Sequence, residues 1–265
     1  MFVKAIGHFL AVCIGISLGL IGGGGSILAV PILVYVMGVG SKDAIAMSLV
    51  IVGTVSLIGV VPHWLRGNVN FKVAVVFTPA AMLGAYLGAR LTALPIVTDT
   101  FQMICFGIVM LLASTFMIRQ SRPKKAISYA EPPGLAAIAA PPKNFHPYQW
   151  LAIPAEGLGV GILTGFVGVG GGFLIIPALV LLGKVPMKQA IGTSLLIIAA
   201  NSVSGFMGYV GQVQVDWSLV ISFTIAATLG TLLGSYLGKF IDAKYLQKGF
   251  GYFVLIVGVF VLIQR

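Results

Sequence analysis

The sequence predicts an all-α polytopic membrane protein built from two inverted repeats, each with a glycine-broken, re-entrant first segment followed by three transmembrane helices. Three observations predict it: an extreme apolar composition, an internal duplication, and the placement of the basic residues. Of 265 residues, 58% are hydrophobic and only 8% charged, and the mean hydropathy is +1.07, well outside the range of soluble domains.

Taking the chain in order, 37 residues without a formal charge lie between Lys4 and Lys42. Further uncharged runs cover Ala44 to Val61, Val73 to Ala89, Thr100 to Ile118, Gly157 to Gly183, Gln189 to Val215 and Trp217 to Gly238. A transmembrane helix needs roughly 20 apolar residues. The last run, Gly249 to Gln264, is shorter, but Tyr245 and Leu246 extend it while Lys248 reaches for the interface. The first run exceeds the apolar region of a cleaved signal peptide, about 7 to 15 residues, so no cleavage is expected. Cys13 and Cys105 both sit inside apolar runs and imply no disulfide framework.

Aligned without a gap, Gly15 to Leu49 and Gly161 to Leu195 share 16 of 35 residues, including Gly19/Gly165, Gly22/Gly168, Pro31/Pro177 and Ser48/Ser194. The chain is therefore a duplication. Beyond this the match needs gaps, pairing Gly67-Asn68-Val69-Asn70 with Gly211-Gln212-Val213-Gln214, and the small-xxx-small pair Gly84/Gly88 with Gly234/Gly238. Such pairs ordinarily mark close helix contacts. The repeats are expected at 1–118 and 150–265. Between them, residues 119–149 are basic and proline-rich, as a linker outside the bilayer is.

Five of the 16 Lys and Arg residues fall in that linker, which the positive-inside rule makes cytoplasmic. If all eight segments crossed once, 9 basic residues would lie inside and 7 outside. If the first segment of each half enters and returns, the count becomes 12 against 4. Gly22 to Gly25 and Gly168 to Gly172 interrupt those segments near their middles, and glycine runs break helices. With an odd number of crossings per half, the halves point in opposite directions, as in many secondary transporters. The expected location is the bacterial inner membrane, multi-pass, with monomer and homodimer both left open.

Irregular backbone at membrane depth is tolerated only where protein or a water-filled cavity meets it. The two breaks are therefore expected to face one another around a cavity. Free N–H groups at helix starts attract anions, and glycine admits a ligand close to the backbone. The candidate substrate-binding residues are Gly22, Gly24, Gly25, Ser26, Ser48, Gly168, Gly170, Gly171, Gly172, Thr193, Ser194 and Asn201. Pro31 and Pro177 are read as helix starts, with residues 26–30 and 172–176 extended before them. Thr54, Ser56, Ser202 and Ser204 are further polar groups on the following helices.

Buried ionisable groups are scarce. Glu156 is a candidate for carrying a coupling proton, while His63, Trp64 and Arg66 are read as a loop anchored at the interface. A site without fixed charge suits an anion better than a cation. Net charge +10 comes from residues at segment ends, so no nucleic-acid partner is expected. A dinucleotide fingerprint at Gly168 to Gly172 lacks its strand and its acidic residue. No paired carboxylates, HExxH or activated nucleophile appears in the spans, so neither enzyme chemistry, metal nor cofactor is expected.

The doubled Gly-x-Gly-Gly-x-x-x-x-x-Pro pattern, Gly22 to Pro31 and Gly168 to Pro177, followed by Ala190-Ile191-Gly192-Thr193-Ser194-Leu195, resembles the sulfite exporter TauE/SafE family. The first copy departs from it, with Ala46-Met47-Ser48 in place of Gly192-Thr193-Ser194. The resemblance implies a multi-pass inner-membrane permease for sulfite, organosulfonates or related carboxylates. An anion channel or a non-transporting scaffold is the alternative reading.

Overall fold

A computed structural model describes residues 2–94, 96–120, 147–167, 172–181, 185–238, 240 and 243–263. Those residues form helices and connections, with no strand among them. In order, the helices are α1 (Phe2–Ile21), α2 (Gly23–Val36), α3 (Ser41–Leu65), α4 (Phe71–Leu91), α5 (Asp99–Gln120), α6 (Pro147–Val167), α7 (Gly172–Leu181), α8 (Met187–Tyr209), α9 (Trp217–Leu237) and α10 (Ala243–Ile263). Four helices among the described residues, α3, α4, α8 and α9, are long and apolar enough to cross a membrane. Helices α5 and α6 reach into the expected linker, whose residues 121–146 lie outside the described ones.

The duplication is written into the helix boundaries at an offset of 146 positions. Ile21 and Val167 end α1 and α6, Ser41 and Met187 begin α3 and α8, Phe71 and Trp217 begin α4 and α9, and Leu91 and Leu237 end them. Even the caps repeat. Asn70 accepts the Val73 N–H at 3.2 Å and Asp216 accepts the Leu219 N–H at 3.1 Å, each filling an orphan donor of the first turn. Gly67 and Gly211 both turn with positive φ, 70° and 86°, so the paired loops expected there are found.

The glycine pairing further on is corrected. A Cβ on Gly84 would strike the backbone of α6 at Leu158 and Ile162, and one on Gly230 would strike α1 at Val12 and Ile16. Gly88 and Gly234 meet Ile162 and Ile16 in the same way. The counterparts are thus Gly84/Gly230 and Gly88/Gly234, not Gly234/Gly238. Glycines at 230, 234 and 238 repeat every helical turn, so the sequence match slips by one turn at no cost in identity; close backbone approach fixes the register instead.

These contacts are reciprocal between the halves. Helix α1 packs along α9, with Gly15 on Ala227 and Gly19 on Thr231, while α6 packs along α4, with Gly161 on Ala81 and Gly165 on Ala85. Numbers rise together in both pairs, so each pair runs parallel. Helices α3 and α8 cross antiparallel, Gly53 meeting Ser202 and Gly59 meeting Leu195. Small residues line the helix contacts, while many large apolar ones face outward. On α4, Ala74, Ala81, Gly84, Ala85 and Gly88 are buried while Val75, Leu83 and Leu87 are exposed, the arrangement that close packing in lipid favours.

The first segment folds back on itself. Helix α1 has 20 residues, about 30 Å at 1.5 Å per residue, and α2 runs back until Met37 Sδ lies 2.5 Å from where a Gly7 Cβ would stand. The extended stretches expected before the prolines are absent. Gly23–Leu28 winds as a 3₁₀ helix, Ala29–Pro31 as one α-turn and Ile32–Val36 as a π-turn, and α7 is helical from Gly172 through Pro177. An extended strand at this depth would leave its backbone groups unpaired, whereas winding pairs them within the segment. Pro31, at φ −56° and ψ −38°, fits because its missing N–H falls where one winding gives way to the next.

Candidate functional site

Gly22 is the hinge of the first break. It sits at φ 76°, ψ −135°, a conformation open in practice to glycine alone. It lies against the start of α8, where a Cβ on it would stand 2.9 Å from Ser194 Oγ and 3.1 Å from the Ile191 carbonyl oxygen. The hinge carries no side chain to cap the helix that follows. Gly23 then meets Gly172 backbone to backbone: a Cβ on either would fall inside the other residue. The two glycine segments, far apart in sequence, therefore touch.

The remaining candidates divide by what they touch. Gly25 packs on α1, with its missing Cβ 2.6 Å from the Ile14 carbonyl oxygen and 2.7 Å from the Leu18 nitrogen. Gly24 is buried. Ser26, fully buried, donates to the Gly23 carbonyl at 2.7 Å. Ser48 and Ser194 donate to the Ile45 and Ile191 carbonyls at 2.7 and 2.8 Å, a matched pair at the 146-residue offset. Thr193 Oγ1 accepts the Asn70 N–H at 2.8 Å and so ties α8 to the start of α4. Asn201 donates to Thr164 Oγ1 at 3.0 Å, while its Oδ1 is buried without a partner.

Gly168, Gly170 and Gly171 lie outside the described residues, so the second break is seen from Gly172 onward. Glu156 sits part-buried on α6, about three turns before its end at Val167, away from the Gly23–Gly172 contact.

Several residues escaped the sequence reading. Gly23, rather than Gly22 or Gly24, makes the contact between the two segments. Ser56 and Ser202, already noted as polar groups on these helices, prove to be another pair at the 146-residue offset and are buried with unpartnered hydroxyls. Tyr209, wholly buried, donates toward the Gly165 and Phe166 carbonyls (3.1 and 3.2 Å), and Gln102 donates to the Phe166 carbonyl at 2.7 Å and to Tyr209 Oη at 3.0 Å. These are the carbonyls a helix leaves orphaned at its C-terminus, and in lipid they need protein partners. His63 is also corrected: it lies on helix α3 and is 8% exposed, not anchored in an interfacial loop. The cue that misled was its neighbour Trp64, 58% exposed.

The chain matches the sulfite exporter TauE/SafE description over residues 8–261. It belongs to that family. A probable membrane transporter protein of Xylella fastidiosa (strain Temecula1) is 32% identical over 256 residues, covering 94% of this chain and 91% of the relative. Probable membrane transporter protein YdhB of Bacillus subtilis is 26% identical, with 80% and 81% covered. Probable membrane transporter protein MJ0441 of Methanocaldococcus jannaschii is 25% identical, with 82% and 81% covered. No solved structure matches the chain. As a member of the TauE/SafE family with four spans among its described helices, the protein is a multi-pass membrane transporter.

Proposed function

We propose that this TauE/SafE transporter carries a small anion, sulfite or an organosulfonate or carboxylate, across the bacterial inner membrane by alternating access around the junction of its two glycine breaks. The observation that carries the reading is the Gly23–Gly172 backbone contact beside Gly22 and Ser194. Glycine backbone and the Ser194 hydroxyl come together there with no acidic residue among them, which suits an oxyanion. The candidate binding set is Gly22, Gly24, Gly25, Ser26, Ser48, Gly168, Gly170, Gly171, Gly172, Thr193, Ser194 and Asn201, with Thr193 the most committed to holding the fold.

The halves act as inverted repeats in this reading. Equivalent helices α3 and α8 cross antiparallel, and each first helix packs on the other half, a pattern that supports opposite orientations. Rocking one half against the other would separate Gly23 from Gly172 and open the junction to each side in turn. The linker faces the cytoplasm, where its basic residues belong. A cytoplasm-negative potential drives an anion outward by about 2.3 kcal/mol per net charge per 100 mV, which favours export of an anion that moves without a compensating proton.

Uptake of labelled sulfite and methanesulfonate into proteoliposomes tests this, with acetate as comparator and Ser194→Ala and Ser48→Ala as variants. Their hydroxyls bond carbonyls of their own helix, so the variants are expected to fold. Saturable uptake that weakens at least several-fold in Ser194→Ala supports the site. Uptake that rises linearly with concentration points to a channel instead, and no uptake of any anion refutes the reading.

A further inference from the structure

His63 and Tyr209 occupy equivalent positions, 146 residues apart, and each faces an equivalent glycine. Tyr209 reaches the Gly165 carbonyl, and the His63 ring lies against the Gly19 backbone. In the second half the arrangement is closed: Tyr209 spends its hydroxyl on carbonyls of α6 and Gln102 joins it. In the first half it is open. Both ring nitrogens of His63 are buried and neither completes a well-formed hydrogen bond; the Gly19 backbone is the one partner within reach, which leaves at least one nitrogen unpaired. A buried polar group left unpaired in this way calls for an explanation.

The surroundings of the ring bear on what it could bind. From α1 the ring meets the Gly19 backbone, from α8 its Cβ lies near Gly192, and from the α3–α4 turn Asn68 approaches Gly192 as well; none of these ionises. The charged group acting on it is Arg66, at the end of its own helix, whose guanidinium donates to the Ser235 carbonyl of α9 at 3.0 Å. Asp43, the acid of α3, lies in the first turn at the far end and accepts the Gln214 N–H. Gly192 and Ser194 belong to one turn of α8, and Ser194 adjoins Gly22, so His63 stands at the same end of α8 as the hinge.

We propose that His63 binds a proton together with the transported anion, so that the imidazolium supplies the positive charge the glycine junction lacks. The proton comes from the aqueous phase onto a free ring nitrogen and leaves when the anion leaves; no other group changes charge. This rests on the anion-carrier reading above. Imidazole is the side chain suited to it, because its ordinary titration lies near neutrality and an anion entering a desolvated path needs a compensating charge.

The test is a histidine NMR titration of the full chain in lipid nanodiscs, with and without methanesulfonate or acetate. Methanesulfonate remains ionised throughout the range, whereas sulfite takes up protons itself. The His63 resonance is assigned by its loss in His63→Gln and in His63→Tyr, which copies the second half and guards against a misfolded first variant. Expected is an imidazole whose titration midpoint rises by about one unit, a tenfold gain in proton affinity, when an anion is added; His8→Gln leaves this response in place. A His63 resonance that does not titrate, or titrates identically with and without both anions, overturns the inference. If vesicle uptake is normal but His63 ignores the anion, this inference fails alone; if His63 responds but no anion crosses the vesicle membrane, the carrier reading fails alone.

Discussion

Gly23 and Gly172 touch through their backbones, so that neither position has room for a single added carbon. The contact joins the first broken segment to the second, and it makes the junction the tightest test of the fold.

Gly172→Ala is expected to push into Gly23 and into Ile198 Cδ1, 2.5 Å from the new carbon, costing on the order of 1–3 kcal/mol as overpacking does and abolishing uptake. Gly159→Ala on α6 meets nothing within 4 Å and should leave stability unchanged or raise it by up to about 1 kcal/mol. Thermal unfolding in detergent, read beside vesicle uptake, separates the two.

The corrected register makes a second prediction. Gly230→Ala places a carbon 3.0 Å from the Ile16 nitrogen and onto the Val12 carbonyl, whereas at Gly238 the nearest atom is 3.4 Å away. Gly230→Ala should lower the melting temperature markedly and Gly238→Ala hardly at all. The opposite ranking would restore the pairing drawn from sequence.

Tyr209 and Gln102 act as one unit on the end of α6. Tyr209→Phe and Gln102→Leu should each destabilise by about 1–2 kcal/mol, and the double variant should cost less than their sum, with a coupling of at least about 0.5 kcal/mol. Additive losses would show that the two bonds serve α6 independently.

Thr193→Val keeps the shape of the side chain but removes the acceptor of the Asn70 N–H. An unpaired donor there costs about 1–3 kcal/mol, so the variant should be less stable while its apparent affinity for the anion stays within about twofold. Loss of affinity at unchanged stability would show that Thr193 acts on the anion rather than on the fold.

What could be read from the sequence follows from which forces leave a mark on it. The break at Gly22 and the doubled Ser48/Ser194 were legible, because glycine runs and identical residues are visible without knowing any partner. The winding of residues 23–36 was not: the need to pair backbone groups in lipid acts on every residue alike and leaves no pattern of side chains. The slip at Gly230, Gly234 and Gly238 arose because a one-turn repeat matches itself, and only the opposing helix decides among them. His63 was misjudged because Trp64 and Arg66 look interfacial, while the burial of one residue between them depends on where α1 and α8 arrive.

The exchange of partners between the halves bears on how the protein is made. Gly15 and Gly19 have their packing surface on α9, at Ala227 and Thr231, near the other end of the chain. At roughly 5–20 residues per second, the ribosome needs about 10–40 seconds to supply it, so α1 must wait in the bilayer or beside the insertion machinery with its small-residue face uncovered. Neither half is complete by itself, and a truncated message yields a hairpin with nothing to close against.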